Sequence, residues 1–452
     1  MGAPSFPCSN VPADPREARL LGLYGQREEG LWMQRTKVLG GALDARGWRT
    51  LGAIARRLTQ AAPLHLTTRQ DVEIHDLSAK YVPEVQRTLG DAGLTTVGAC
   101  GDTLRNIVVC PCSGTLGGRP DLEPLARRIG RVLEETDGIF SLPRKFKISL
   151  SACQEGCGQP WIQDLGLVAE KGEGRWGFRV IGGGSLGPRP AAGILLHEWL
   201  PAEDVLPLVV SAVRFFAAHG DRANRRRARL RHVRERIGDE AFRRALADGL
   251  AAARSERPWP AVNLAEAGGG FGARLVLTFA NGDVSPDAAD ALAVLAETDG
   301  LKVRIAGHHR VIVFGRNEES LRARVGKAGA LRAAAQPQPS VVACPGKRWC
   351  SRALADTNGL ADRIRERFTG ALGPAQAVCI SGCPNGCAHS HVADIGLVGV
   401  VRSEGGRPVD GYDLLVGGGM GRSARLARLE ARKLCADEVI LAIFTRLARP
   451  EA

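Results

Sequence analysis

The sequence predicts an α+β protein made by internal duplication. Two ferredoxin-like half-domains join as one domain, and two α/β domains stand in pseudo-twofold relation. Three observations carry this reading. The order strand–helix–strand–strand–helix, half of a ferredoxin-like unit, occurs over residues 31–92 and again over 274–331. Its period of about 240 residues marks a duplication rather than a solenoid. Cys153-Gln-Glu-Gly-Cys157 is followed by Asp164-Leu-Gly-Leu-Val168, and Cys383-Pro-Asn-Gly-Cys387 by Asp394-Ile-Gly-Leu-Val398, with the last cysteine and the aspartate seven residues apart in both copies. Val109-Cys110-Pro111 matches Ala343-Cys344-Pro345, and each copy ends in a glycine run, Val180-Ile-Gly-Gly-Gly184 or Val416-Gly-Gly-Gly419.

Residues 1–30 hold proline and glycine with little periodicity and are read as an extended arm. A strand Leu31–Val38, a Gly-Gly turn and an amphipathic helix to Thr59 come next. Strands Leu64–Thr67 and Val72–His75 and a helix to Ala92 complete the first half, so residues 1–95 form the arm and first ferredoxin-like half. Residues 96–254 are read as the first α/β domain. Ser255–Val262, with two prolines, is the linker that opens the second half, 255–335. That half has a strand Arg274–Phe279, a helix starting at the Ser285-Pro286 N-cap and N1 pair, strands Leu301–Ile305 and Val311–Phe314, and a helix from Glu318 to Leu331. Aligning the central strands sets Arg69 opposite His308. Residues 336–452 form the second α/β domain.

Length and composition bound the function. A chain of 452 residues, 44% hydrophobic and 24% charged, is expected to form two or three globular domains. No apolar run reaches membrane-spanning length and the N-terminus lacks the features of a signal peptide, so twelve cysteines point to metal or redox chemistry in the cytoplasm rather than to a disulfide framework. The net charge of +13 invites a nucleic-acid reading, yet aromatics are only 5% and no binding signature interleaves with the basic residues. An acidic small molecule or acidic protein partner accounts for the charge equally well. Eight arginines lie between Arg222 and Arg236, read as one helix whose basic face is either simply solvated or a carboxylate- or phosphate-binding surface.

The cysteines of the last quarter carry the chemistry. Cys344 and Cys350 form C-x5-C, and Cys383 and Cys387 form C-x3-C. Four thiolates from two short loops suit an iron–sulfur cluster or a zinc ion, and these spacings differ from the C-x2-C couples of most structural zinc sites. A [4Fe–4S] cluster on Cys344, Cys350, Cys383 and Cys387 is favoured. Zinc stays open because His389 and His391 follow closely, and buried free thiols are the third reading. Cys379 is left over as a structural residue. In the first half, Cys110, Cys112, Cys153 and Cys157 are enough on paper for a second cluster, but Cys112 follows Cys110 by two residues where Cys350 follows Cys344 by six. They are read as a vestigial copy.

Ala343-Cys-Pro-x5-Cys, Ser381-Gly-Cys-Pro-Asn-Gly-Cys and Ala393-Asp-Ile-Gly-Leu-Val-Gly closely resemble the sirohaem-dependent sulfite and nitrite reductases, and the resemblance covers nearly the whole chain. It implies sirohaem and a [4Fe–4S] cluster coupled through one shared thiolate, that of Cys387, and it implies that the two α/β domains bind these cofactors. Leu66-Thr-Thr-Arg-Gln-Asp-Val-Glu-Ile-His75 resembles the family's TTRQ segment and puts Arg69 over the haem. Asp102-Thr-Leu-Arg-Asn-Ile-Val-Val-Cys110 and Leu142-Pro-Arg-Lys-Phe-Lys147 resemble its RN and PRKFK segments and supply Arg105, Lys145 and Lys147. Arg69 and Arg105 also fall to the haem in this reading. Arginine forks orient anionic oxygens, while ammonium groups stabilise charge and donate protons as S–O or N–O bonds break. The macrocycle's carboxylates call for the same basic lining.

In this resemblance, many nitrite-reducing members have asparagine where sulfite-reducing members have the second lysine. Lys147 therefore leans the substrate toward sulfite, with nitrite to ammonia as the alternative. Precorrin-3B synthase, a related cobalamin-pathway oxygenase, is a further alternative that the TTRQ and PRKFK segments argue against. One departure is Gly307-His308-His309-Arg310, where many relatives carry Asn-Gln-Asn; two histidines in such a turn are expected to face solvent. Gly182-Gly-Gly184-Ser-Leu-Gly187 fits G-x-G-x-x-G, but Pro188 and Pro190 leave no helix N-terminus for a pyrophosphate. With no nucleotide domain, electrons are expected from an external donor, an acidic ferredoxin steered by the net charge.

Overall fold

The period-two strands and amphipathic helices of residues 31–92 close into an antiparallel sheet backed by helices Ala45–Leu58 and Val82–Asp91. The computed structural model describes residues 4–172, 174–266, 270–373 and 376–448. In it the sheet has the order Leu23–Gly25, Leu31–Thr36, Val72–Ser78, Leu64–Leu66 and Asp283–Val284, so its last strand comes from the second half of the chain. The second half repeats the pattern. Ala273–Thr278, Arg310–Gly315 and Lys302–Ala306 pair antiparallel in the same first–third–second order, with helices Pro286–Glu297 and Glu318–Lys327. Ser285 caps its helix by accepting from the Ala288 amide, as the Ser-Pro pair predicts.

The two ferredoxin-like halves share one apolar core that includes Trp48, Leu66, Leu277 and Ile305. Burying side chains of this size contributes about 1.5–3 kcal/mol each. Helices Ala45–Leu58 and Pro286–Glu297 pack on each other, with Gly52 leaving room for Ala289, and Arg56 pairs with Asp287 at 2.9 Å and Asp290 at 2.8 Å across the seam. The pseudo-twofold is sharpest at two single turns, Leu39–Gly41 and Ala280–Gly282. A Cβ on Gly41 would lie 2.0 Å from the Ile305 carbonyl oxygen, and one on Gly282 would lie 2.9 Å from that of Leu66. Both glycines have positive φ, +69° and +78°. Each half thus presses a glycine turn against a strand of the other.

The α/β portions are also copies. Val108–Val109, Ile148–Ser151, Leu165–Gly172, Arg175–Gly182 and Ile194–Pro201 form one sheet; Val341–Ala343, Val378–Ser381, Ile395–Glu404, Arg407–Val416 and Arg428–Leu434 form the other. In each, the first three strands are parallel and the last two antiparallel. Asp164 Oδ2 accepts the Lys147 amide at 2.9 Å, and Asp394 Oδ2 accepts the Ala377 amide at 3.0 Å. The duplicated aspartates hold the same strand junction in both copies.

Two sequence expectations need correction. The arm is not wholly extended: Asp14 caps a short helix Pro15–Leu20, and Leu23–Gly25 adds a strand to the sheet. Six residues are too few to display a helical period, and only the Asp-Pro start signals them. The arginine-rich segment is not one solvated helix. Arg225–Arg227 form a separate turn, and a helix Leu230–Ile237 follows. Arg229 and Arg231 are buried, because each finds a polar partner in the interior, Asp164 for the first and Ser185 with Glu235 for the second. Gly184 is followed by a bridge between Ser185 and Ala191 and then a strand, not a helix, so the G-x-G-x-x-G match has no phosphate-binding geometry. Among the described residues no helix is long and apolar enough to cross a membrane.

Candidate functional site

Three backbone segments bring the four predicted basic residues together. Arg69 sits on the turn between strands Leu64–Leu66 and Val72–Ser78. The next residue, Gln70, has a φ of +65° and is clamped by its amide group to Val109 and Ile305 backbone. Arg69 Nη1 donates to Gln163 Oε1 and Nη2 to the Asn106 carbonyl, both at 2.6 Å. Arg105 lies one segment away, where its amide donates to the Phe146 carbonyl at 2.8 Å. Phe146 points into the core, so Lys145 and Lys147, on either side of it in extended backbone, share the opposite face with one another.

This pocket is rich in cations. Burial, with Arg105 and Arg229 adding repulsion and Asp71 and Asp164 opposing it, brings Arg69 down to about 10. Burial and then Arg229, Arg105 and Arg144 bring Lys145 down to about 7, with Cys387 pulling the other way. Burial followed by Arg69, Lys145 and Arg229 lowers Lys147 well below an ordinary lysine. Asp71 is raised to about 6 by burial, against the pull of Arg35, Arg105, Arg69 and Lys37. Among the described residues neither lysine ammonium has a hydrogen bond or ion pair. Arg69 Nε, Arg105 Nε and His389 Nδ1 are buried without a partner. A pocket with this surplus of donors fits a carboxylate-bearing tetrapyrrole and a small oxyanion.

The late cysteines face this pocket from the second α/β sheet. Cys344 follows strand Val341–Ala343, its Sγ accepting the Gly382 amide at 3.2 Å; Cys350 ends the short helix Gly346–Trp349. Cys383 and Cys387 lie in the loop after strand Val378–Ser381. Thr68 Oγ1, beside Arg69, donates to the Cys387 carbonyl at 2.9 Å. Burial raises Cys344 to about 12 and also raises Cys350 and Cys383, so bare thiols here stay protonated. Among the described residues, no three of these cysteines and His389 or His391 bring ligand atoms within 4.8 Å of one another. Ligands of a single zinc ion, with bonds of about 2.3 Å, must be closer than that. As they stand these residues are not gathered for a single zinc ion, and a cube of four irons takes thiolates spread further apart. Cys379, on the strand before the loop, is buried in a small apolar cluster with Val342, Ala388 and Ala393, against which Cys344 also packs.

Arg229 is the residue that sequence reasoning did not single out. Its Nη2 meets Asp164 Oδ2 at 2.8 Å, and it sits close enough to Arg69, Lys145 and Lys147 to shift all three. A buried aspartate in the duplicated Asp-x-Gly-Leu-Val motif called for a cationic partner, and that demand was the available signal. The expectation that the histidine turn faces solvent is overturned for His309, which is buried with its ring 5.3 Å from that of His65. The turn lies between the halves, with His308 Nε2 3.3 Å from Gln159 Nε2 of the first α/β portion. The first-half cysteines are not scattered either: Cys110, Cys153 and Cys157 place their sulfurs within 4.8 Å of one another. The Cys153 thiol is held low by hydrogen bonds from Cys110 and then Cys157, and Cys112 is brought to about 6 by Cys110 and then Arg274.

Comparison with known proteins agrees with this architecture. The family model described as the nitrite and sulphite reductase 4Fe-4S domain matches residues 100–252 and 338–448, one segment for each α/β portion. The nitrite/sulfite reductase ferredoxin-like half domain matches residues 24–92. The assimilatory ferredoxin-dependent nitrite reductase of Haloferax mediterranei is 30% identical over 95% of this chain and 82% of its own. The chloroplastic ferredoxin–nitrite reductase of Arabidopsis thaliana is 28% identical over 93% of this chain and 76% of its own, and the ferredoxin sulfite reductase of Mycobacterium tuberculosis is 28% identical over 93% and 82%. The solved structure of the Mycobacterium tuberculosis NirA protein superposes with a TM-score of 0.84 at 25% identity, covering 96% of this chain and 88% of that one. The chain belongs to the nitrite and sulphite reductase family, oxidoreductases that carry a [4Fe–4S] cluster together with sirohaem.

Proposed function

We propose that this protein reduces sulfite to sulfide with six electrons, taking them from an external donor such as an acidic ferredoxin. The observation that carries the reading is the pair Lys145 and Lys147. Two lysine side chains share one face of an extended segment, have no ion pair among the described residues, and lie near enough to Arg105, and for Lys147 also Arg69, to feel their charge. A doubly basic pair suits the more highly charged oxyanion. Nitrite reduction to ammonia is the second reading, favoured by the relatives named nitrite reductases.

In this proposal Cys344, Cys350, Cys383 and Cys387 would hold the cluster, and Cys387 would also serve the sirohaem. When bound, the cofactors would supply single electrons to the substrate. The chain's own residues do the rest. Arg69 and Arg105 keep their guanidinium forks in place through backbone carbonyls and Gln163 and present unpaired Nε–H groups to anionic oxygens. Reduction of sulfite to hydrosulfide consumes seven protons and releases three waters, so proton delivery is part of the task. Lys145, brought to about 7, can give up a proton and regain one at neutral pH. Lys147, beside it and also held below an ordinary lysine, takes up its proton as the anion's charge arrives. The net charge of +13 steers an acidic donor, and the cytoplasm is the compartment proposed for the exchange.

Steady-state rates with sulfite and nitrite under reduced methyl viologen, and then under reduced ferredoxin, test the reading. A higher kcat/KM for sulfite is expected; a higher value for nitrite selects the second reading. A purified protein with a cluster spectrum but no haem bands would end both and point to the cobalamin-pathway oxygenases.

A further inference from the structure

The loop between Cys153 and Cys157 is built like the one between Cys383 and Cys387. Gly156 and Gly386 both take positive φ, +69° and +67°. The Gly158 amide donates to Ser151 Oγ at 3.2 Å and the Ala388 amide to Ser381 Oγ at 3.1 Å. Each loop runs into a single helical turn whose cap residue, Gln159 or His389, is also left-handed. Cys110 and Cys344 each follow the first strand of their sheet, their amides donating to Leu150 and Ile380. Three thiols of the first half therefore occupy the stations of three in the second.

Their spacing differs in kind. The sulfurs of Cys110, Cys153 and Cys157 all lie within 4.8 Å, with Cys110 and Cys153 at 4.0 Å. Tetrahedral thiolates on one zinc-sized ion, with bonds of about 2.3 Å, sit just under about 4 Å apart. Among the described residues of the first half none takes the place of Cys350, the station that would widen the set for a cube. Cys112 instead turns its Sγ to Arg274, which donates to it at 3.3 Å. Arg119 and Arg274 lie close to the group and offset the charge that several thiolates would bring.

We infer that Cys110, Cys153 and Cys157 bind one thiolate-preferring divalent ion of the zinc class, separate from the [4Fe–4S] site. The three thiols lose their protons to solvent as the ion enters, and the fourth coordination place faces outward beside the exposed Cys157. The ion would fasten strand Val108–Val109 to the loop after Ile148–Ser151, and so brace the segments that carry Arg105, Lys145 and Lys147.

The test is metal analysis of the holoenzyme after equilibration with zinc and removal of free metal. One zinc per chain is expected in addition to the iron of haem and cluster. The Cys153→Ser/Cys157→Ser double variant should lose that zinc while its iron content and visible spectrum stay unchanged, a result independent of which oxyanion is reduced. On the unsubstituted protein, zinc should protect three thiols from alkylation. The inference is overturned by zinc that survives the double substitution, by no zinc in the unsubstituted protein, or by a missing thiol pair that returns on reduction, which means a disulfide. It is also overturned by extra iron with cluster absorption that the double variant lacks.

Discussion

Thr68 Oγ1 donates a 2.9 Å hydrogen bond to the carbonyl of Cys387, which lies 319 positions further along the chain. The bond joins the turn that bears Arg69 to the cysteine proposed to serve both cofactors. Its net worth to stability is about 1 kcal/mol, as for other single hydrogen bonds. Its worth to the proposed catalysis should be larger, because small misplacements of charged groups around a reacting anion are costly. Thr68→Val should lower Tm only slightly and lower kcat/KM by about tenfold, with haem and iron content retained. A variant with unchanged kcat/KM would show that the bond does not position the site.

With Lys145 in the proposed role, the reaction should be pH-dependent. Its ammonium is the form that holds an anion, and with the group at about 7 that form is lost as pH rises through neutrality. KM for the oxyanion should therefore climb above pH 7, and Lys145→Arg should remove the inflection while keeping the charge. Cofactor-free protein should show the linked effect on stability. Between pH 7 and lysine's ordinary 10.5 the unfolded chain binds the proton and the folded chain does not, so unfolding free energy rises with pH across that window. Denaturant titrations at several pH values check the sign.

Arg229 and Asp164 form a buried pair whose carboxylate also takes the Lys147 amide. Arg229→Met leaves that carboxylate buried with its cation gone, a change that costs about 3–5 kcal/mol. Thermal unfolding should show a loss of this order, and Arg229→Lys should recover part of it. A neutral Arg229→Met would mean that solvent reaches Asp164.

The two cysteines of the C-x3-C loop and its preceding strand should part company. Cys387→Ser should uncouple cluster and haem, read as altered absorption and iron content. Cys379→Ser, at a buried position in an apolar cluster, should cost stability while leaving both cofactors bound. Loss of the cluster from Cys379→Ser would show that the ligand set is wrong.

Gly41 tests the seam between the halves. Alanine there needs a positive φ and puts a methyl against the Ile305 carbonyl, so Gly41→Ala should unfold at a markedly lower temperature, by more than the ordinary cost of about 1 kcal/mol for alanine in that conformation. An unchanged Tm would mean that the two halves are free to move apart.

The duplication was legible because its signals are local and repeat in register: two C-x3-C loops, two Asp-x-Gly-Leu-Val strands and two runs of the same element order. Arg69, Arg105, Lys145 and Lys147 could be named because they sit in three short segments, the two lysines sharing one, and the fold brings those segments together. What the sequence hid depends on contacts between distant segments. Nothing in the run Arg222–Arg236 says that Arg229 turns inward, since only Asp164, 65 positions earlier, makes that favourable. His309 looks like a surface turn until His65 is packed against it. The helix Pro15–Leu20 is too short for periodicity to reveal. The first-half cysteines have the wrong spacing for a second copy of the cluster site, and only their folded distances show how tightly they gather.

The hydrogen bond from Thr68 to Cys387 spans 319 positions, so the two walls it joins are made at different times during synthesis. The basic wall of the pocket is translated first and the cysteine wall last, and domains that emerge from the ribosome begin to fold in that order. Until Cys387 is out, the turn bearing Arg69 has no opposite side, and strand Leu64–Leu66 waits for Asp283–Val284 to cover its edge. The pocket is thus completed only once the segment carrying Cys387 is available to meet the turn at Thr68. An incomplete translation product would expose a row of unpaired cations with nothing yet to bind.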